Sequence, residues 1–383
     1  MPRNRTILHS LAVMTLVPAV VAAAVLQAPR VLDKPQAELA EPFTNVGSVR
    51  ELRDGRVLVV DNGDRALYVV DFTAGTSTQV GRPGSGPAEY RIPGTLLALA
   101  GDTTLLTDAG NNRLLVLGPD ARPVTELTEA WPLPNGRRGT RLPRAIDGQG
   151  RGYFFSSPAR AEPTTSTVLV QQDTVALVRA HRGAAVEDSV GYIHLAPRRI
   201  TTTATAGKLT GVQVMTMPFP AQDAWQAFAD GAVAIARVRD YRVEWLLPDG
   251  RRVTGRPIAF DRVKVTELDK RELVVGARSA RSGGSPGGAP AGGGSPPALH
   301  WPEVKPPFPF SGVLAGTDGR LWVLRHGRAG DPRVHYDVID RQGAVAVRVD
   351  VPNGCRIVGF GARSIYVVRK DADDLQYLQR FPL

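Results

Sequence analysis

Short apolar runs recur along this chain, each bounded by polar turn residues. Residues 56–61 (RVLVVD) follow the turn pair Asp54-Gly55, and a polar loop then leads to 66–71 (ALYVVD). The unit returns as 103–108 after Gly101-Asp102, with 113–117 as its partner. A third copy opens at Asp147-Gly148, runs through 153–156 and takes 166–171 as the partner strand. The fourth is Asp230-Gly231 with 232–238 and 241–247, closed by Asp249-Gly250. The fifth is Asp318-Gly319 with 320–325 and 334–340, and the sixth pairs 364–369 with 375–381. Runs rich in β-branched and aromatic residues between Gly/Asp turns predict antiparallel hairpins.

The first run of each unit reads as its inner strand; these runs end at Asp61, Asp108, Ser156, Arg237, Arg325 and Arg369, spaced 47, 48, 81, 88 and 44 apart. The two long intervals have visible causes. One holds a stretch of mixed character, 180–220. The other holds a predicted helix over 266–280, opening with the cap-like sequence Thr266-Glu267-Leu268-Asp269, and then a Gly/Pro/Ser/Ala-rich linker over 282–297. That linker has too little apolar surface to order itself.

A period in the mid-forties with several short strands per unit predicts an all-β, six-bladed β-propeller over 31–383. Each small sheet has two apolar faces that its neighbours must cover, so the units close into a ring. The sixth unit reaches Leu383 without an outer strand. A segment between Leu32 and Phe43 is therefore expected to complete it and tie the ends of the ring together. Two separate β-sandwiches would not give this regular spacing.

The first thirty residues read differently. Arg3 and Arg5 precede an almost wholly apolar stretch, 7–26, interrupted by Pro18 and ending in small residues. This is the pattern of a signal peptide, with cleavage expected near Ala22–Ala24 or Ala28; an uncleaved membrane anchor is the alternative. Either places the propeller outside the cytoplasm. The 383-residue chain carries a formal charge of +10, and loss of the three leader arginines, with no acid among them, leaves +7. The excess is scattered arginine rather than a basic tract, so nucleic acid is not an expected partner. A partner protein, peptide or glycan is expected instead, on a monomer that meets the membrane only through an uncleaved leader. Cys355 is the single cysteine, so no internal disulfide forms, and it reads as a small core residue.

Residues 80–93 (VGRPGSGPAEYRIP) resemble the glycine-rich opening of an NHL repeat, and 108–114 (DAGNNRL) resemble its central element. Residues 61–65 (DNGDR) are a degenerate copy. The chain thus resembles the bacterial six-bladed propellers related to NHL-repeat and TolB-like proteins, and Trp322-Val323 and 376–378 (QYL) are in keeping with them. The resemblance implies the fold and little about activity. Locally, the glycines suit a crossover between blades, Asn111 and Asn112 a hairpin turn, and Asp108 with Arg113 an ion pair that orients it.

No G-x-S-x-G nucleophile elbow occurs, and the six histidines are scattered. No catalytic residue and no resident cofactor are therefore assigned. Gluconolactonase-like propellers hold an axial divalent cation with carboxylates and amides. Asp61, Asn62, Asp108 and Asn111 would supply part of such a set here, without the axial glutamate. The acidic turn Asp371-Asp373-Asp374 reads as a solvated loop that could also take calcium.

Equivalent strand ends lie on one face of a ring, which places Asp61, Asp108 and Asn111 on one side and Arg237, Arg325 and Arg369 on the other. Three converging guanidiniums would favour a carboxylate, sulfate or phosphate. The expected function is thus non-enzymatic binding on that face. The alternative is a lactonase-like hydrolase or a lyase with an axial metal. Arginines paired with nearby acids, such as Arg369 with Asp371 or Asp373, would remove the anion site.

Overall fold

The computed structural model describes residues 28–133, 139–156, 167–171, 174–184, 187–205, 208–273 and 301–383. The expected signal peptide or anchor, up to residue 27, and the expected linker over 282–297 lie outside these residues.

Six antiparallel sheets form around one axis. Blade 1 consists of Val46–Glu51, Val57–Asp61, Ala66–Asp71 and Thr76–Val80, and blade 2 of Pro93–Ala98, Thr104–Asp108, Arg113–Leu117 and Pro123–Leu127. Blade 3 consists of Ala145–Ile146, Gly152–Phe155, Thr174–Ala180 and Asp188–His194. Blade 4 follows with Ala224–Ala227, Val233–Arg237, Arg242–Leu246 and Arg252–Thr254. Blade 5 has Val313–Ala315, Leu321–Leu324, Arg333–Ile339 and Val345–Pro352, and blade 6 has Cys355–Phe360, Ser364–Lys370 and Gln376–Pro382. The first strand of every blade touches the first strands of the blades on either side, so the ring closes. The chain is a six-bladed β-propeller.

Ring closure follows the expected route. Ala37–Glu38 pairs antiparallel with the last strand, Ala37 opposite Arg380 and Glu38 opposite Gln379. An unexpected addition is Arg30–Val31, which lies parallel to Val345–Pro352 as a fifth strand of blade 5.

The core is divided among the seams. Six clusters of buried apolar side chains occupy the six blade-to-blade interfaces; Leu58, Leu67, Leu106 and Leu115 fill the seam of blades 1 and 2, for example. Each fully buried aliphatic side chain stabilises by roughly 1.5–3 kcal/mol relative to exposure. Cys355 belongs to the seam of blades 5 and 6, and burial pushes its thiol pKa up. Buried tyrosines reinforce several seams. Tyr241 of blade 4 donates a 2.7 Å hydrogen bond to Asp337 of blade 5, and the Tyr336 hydroxyl of blade 5 accepts from the Ile357 N–H of blade 6 at 3.0 Å.

Three strand assignments change. The apolar runs ending at Asp61, Asp108, Ser156, Arg237, Arg325 and Arg369 belong to the second strands, and a less buried strand precedes each at the axis. The partner of Gly152–Phe155 is Thr174–Ala180 rather than 166–171. Thr167–Gln171 instead joins Arg198–Thr205 and Lys208–Thr216 in a separate three-stranded sheet, which accounts for much of the mixed segment 180–220. Residues 267–273 are helical, capped as expected by reciprocal hydrogen bonds between Thr266 and Asp269; the rest of the predicted helix lies outside the described residues.

Candidate functional site

In each blade the second strand ends where the inner strand begins. Hairpins between second and third strands, and crossovers between blades, therefore open on one face of the ring. The predicted site residues all lie on this crossover face, but they do not form one ring of free groups.

Asp61 is fully buried and accepts hydrogen bonds from the N–H groups of Thr44, Asn45, Gly63 and Asp64, which fixes the blade 1 hairpin. Asp108 is also fully buried and accepts from the Arg91 and Ile92 N–H groups and from Asn111 Nδ2. Asn111 further donates to the Gly84 carbonyl and accepts from Ser85 Oγ, so it stitches the hairpin to the glycine-rich crossover. Arg113 completes the lock: it donates to the Gly86 and Glu89 carbonyls, pairs with Glu126, and lies 3.6 Å from Asp108. Gly81 takes a φ of +69° in that crossover, a conformation costly for residues with a Cβ. The motif that resembles an NHL repeat is thus structural glue.

The three expected arginines also have acidic neighbours. Arg237 bonds Asp223 at 2.8 Å and Glu244 at 2.6 Å. Arg369 bonds Glu38, in the closing strand, rather than Asp371 or Asp373. Arg325 lies 3.7 Å from Asp337, which also pairs with Arg348. Each guanidinium is drawn to an acid of its own blade because burial without a counter-charge is costly. Arg325 also lines a small cavity of about 160 Å³ with Lys305, Arg333 and His335, where Asp269, Glu272 and Asp331 offset the positive charge. Asp371 accepts from the Asp373 and Leu375 N–H groups and Lys370 pairs with Asp374, so the acidic turn is organised as a hairpin.

Two larger cavities open at the axis of the crossover face, and both are lined by Ser311. The first, about 510 Å³, lies between blades 1, 5 and 6, with Asn45, Asn62, Arg356 and Gln376 in its wall. The second, about 470 Å³, lies at blades 3, 4 and 5, with Arg144, Phe155, Gln222, Trp225, Gln226 and Phe310. Together they form an axial mouth of amides, aromatics and two arginines. Blades 3 and 6 are opposite in a ring of six, so Arg144 and Arg356 face the mouth from opposite sides.

The two arginines share a property that the predicted three lack. Neither has a carboxylate within ion-pair distance among the described residues. Arg356 makes one hydrogen bond, to the Val46 carbonyl at 2.9 Å. It is solvent-accessible through the mouth yet densely surrounded by protein, and burial lowers its pKa. Arg144 is exposed and lies 4.8 Å over the Phe155 ring. The amides are partly free as well. Gln376 Oε1 accepts from the Val46 N–H, leaving Nε2 to donate, while Gln226 Nε2 donates to the Val313 carbonyl, leaving Oε1 to accept. Gly47 leaves room for Asn62: a Cβ there would overlap the Asn62 amide.

Asp223 is the carboxylate in the wall of these cavities. Burial pushes its pKa up, but hydrogen bonds from the Val238 N–H, Arg237 and His194 outweigh that and hold it below the ordinary value. Among the described residues no three His, Cys, Asp or Glu side chains gather in a geometry suited to a metal ion. Of the implied axial set, Asn62 alone lines the mouth; Asp61, Asp108 and Asn111 are held in the turns described above.

No family model matches the chain, and no curated protein matches it. Similar solved structures include virginiamycin B lyase from Staphylococcus aureus, at 11% identity and TM-score 0.40, covering 91% of this chain and 99% of that one. A calcium-binding regucalcin from Agrobacterium tumefaciens is similar at 12% identity and TM-score 0.36, covering 92% and 95%. A gluconolactonase from Xanthomonas campestris is similar at 11% identity and TM-score 0.39, covering 90% and 88%. These neighbours are six-bladed propellers. The six sheets themselves establish the fold.

Arg144, Trp225, Gln226, Phe310 and Arg356 carry no motif in the sequence. Arg144 and Phe310 sit in crossovers, and the others sit in short inner strands whose pattern is broken by polar residues. Asn62 did have a signal, in the Asp61-Asn62 pair that ends a strand and opens a hairpin.

Proposed function

We propose that the protein is an exported binding propeller that holds an anionic ligand in the axial mouth of its crossover face. The observation that carries this reading is the pair Arg144 and Arg356, opposed across the mouth with no carboxylate partner among the described residues. An arginine in a partly desolvated wall offers a planar fork of donors that a carboxylate or phosphate satisfies better than water does. The surrounding amides and aromatics suit a ligand that is held by several weak contacts. Asp223, kept ionised and saturated with donors, is poorly suited to act as a general acid or base. Export rests on the apolar leader and its basic start.

Calorimetric titration of the exported protein with citrate tests the reading. Saturable binding is expected, weakened at least tenfold by Arg356→Met or Arg144→Met and unchanged by Arg122→Met, whose side chain is 85% exposed on a distant hairpin. Absence of binding, or binding insensitive to both mouth substitutions, would overturn it. Turnover of a lactone by the same preparation would favour the hydrolase instead.

A further inference from the structure

The two halves of the mouth differ in chemistry. Around Arg356 the polar groups of the wall are the amides of Asn45, Asn62 and Gln376, set among the aliphatic side chains of Leu314, Leu324 and Val358. Around Arg144 it is aromatic as well, with Phe155, Trp225 and Phe310 beside Gln222 and Gln226. Phe155 and Trp225 pack edge to face at 6.0 Å. Phe310 is 45% exposed, so its ring is available at the cavity rim.

A carboxylate or phosphate alone would need the arginines and nothing else. Arg144 covers the Phe155 ring, but the part-exposed rings of Trp225 and Phe310 call for a ligand with apolar C–H surface. The amides call for groups that donate and accept at adjacent positions: Gln222 Oε1 takes the Ala196 N–H and leaves Nε2 to donate, whereas Gln226 offers Oε1 to accept. A sugar ring has these properties together, with C–H bonds on its faces and hydroxyls around its rim. Adding a ring carboxylate makes it a uronic acid. The second arginine, on the opposite blade, requires a second carboxylate at some distance, which a chain of such rings supplies.

We propose that the ligand is an acidic oligosaccharide, with one uronate ring on the aromatic half and its carboxylate on Arg144, and a further uronate carboxylate on Arg356. The inference rests on the anionic-ligand reading of the same mouth and narrows it. An acidic peptide would meet the arginines but would leave the aromatic platform without a matching ring.

The test is a set of calorimetric titrations with trigalacturonate, neutral galactotriose, a triglutamate peptide and citrate, with monomeric galacturonate as the single-ring control. Trigalacturonate is expected to bind at least tenfold more tightly than each of the other three. Phe310→Ala is expected to weaken trigalacturonate binding at least fivefold and to leave citrate binding within twofold, because the ring side chain meets only the sugar. Arg356→Met is expected to weaken trigalacturonate more than monomeric galacturonate. Citrate binding without a preference for trigalacturonate overturns the sugar and leaves the anion site standing. Equal or tighter binding of triglutamate overturns it in favour of a peptide. An equal effect of Phe310→Ala on citrate and on trigalacturonate overturns the ring placement. Failure of all four to bind removes both readings.

Discussion

Glu38 holds the Arg369 guanidinium through both carboxylate oxygens, at 2.8 and 3.1 Å, across 331 residues of chain. The hydrogen bonds and charge of this pair lower the Glu38 pKa and raise that of Arg369. The closing strand thus supplies the acid of this strand-end arginine.

Closure by this strand depends on burial more than on the ion pair. Leu39 is 1% exposed in the seam of blades 6 and 1, and Leu39→Ala is expected to cost about 2–4 kcal/mol. Glu38→Gln is expected to cost under about 1 kcal/mol, because both side chains of the pair are about one-third exposed. Urea denaturation of the two variants checks the contrast.

Acid should loosen the ring. Glu38 and Asp223 both have lowered pKa values in the folded chain, whereas in the unfolded chain they titrate near their ordinary values of about 4. The unfolded chain therefore binds more protons as pH falls through that window, and folding loses stability there. Denaturation midpoints are expected to be level above about pH 5 and to fall toward pH 3, with a shallower fall in Asp223→Asn.

The buried Arg113 network should be worth more than any surface pair. Arg113→Met leaves the Gly86 and Glu89 carbonyls without this donor and removes the positive charge beside buried Asp108, and is expected to cost about 3 kcal/mol. Arg122→Met, on an exposed hairpin, should cost under about 0.5 kcal/mol. Thermal denaturation of both variants gives the comparison.

The Cys355 thiol, buried and with a raised pKa, should be inert toward an aromatic disulfide reagent at pH 8 until the protein unfolds. One equivalent should then react at the rate of unfolding. Immediate reaction in the native state would contradict its place in the seam.

Much of the ring was legible because the second and third strands are covered on both faces. Val57–Asp61 is buried at all five positions and reads as one apolar run. Inner strands such as Val46–Glu51 and Cys355–Phe360 are only partly buried, so their patterns are mixed and do not reveal their place at the axis. The turn signals were strong, as Asp54 shows by accepting the Arg56 N–H. The site was legible only at Asn62. Arg144 and Arg356 look like any other arginines in a basic chain. What sets them apart is that they line the mouth without a neighbouring acid among the described residues, and that is decided by which blades stand beside them.

A crystal structure of the protein with trigalacturonate bound bears most directly on the axial mouth as the place of recognition. Electron density for the ligand is expected against Phe310 and Trp225, with carboxylates on Arg144 and Arg356. Density beside Arg325 in the blade 5 hairpin, or on the outer edge of a blade with the mouth empty, would contradict it.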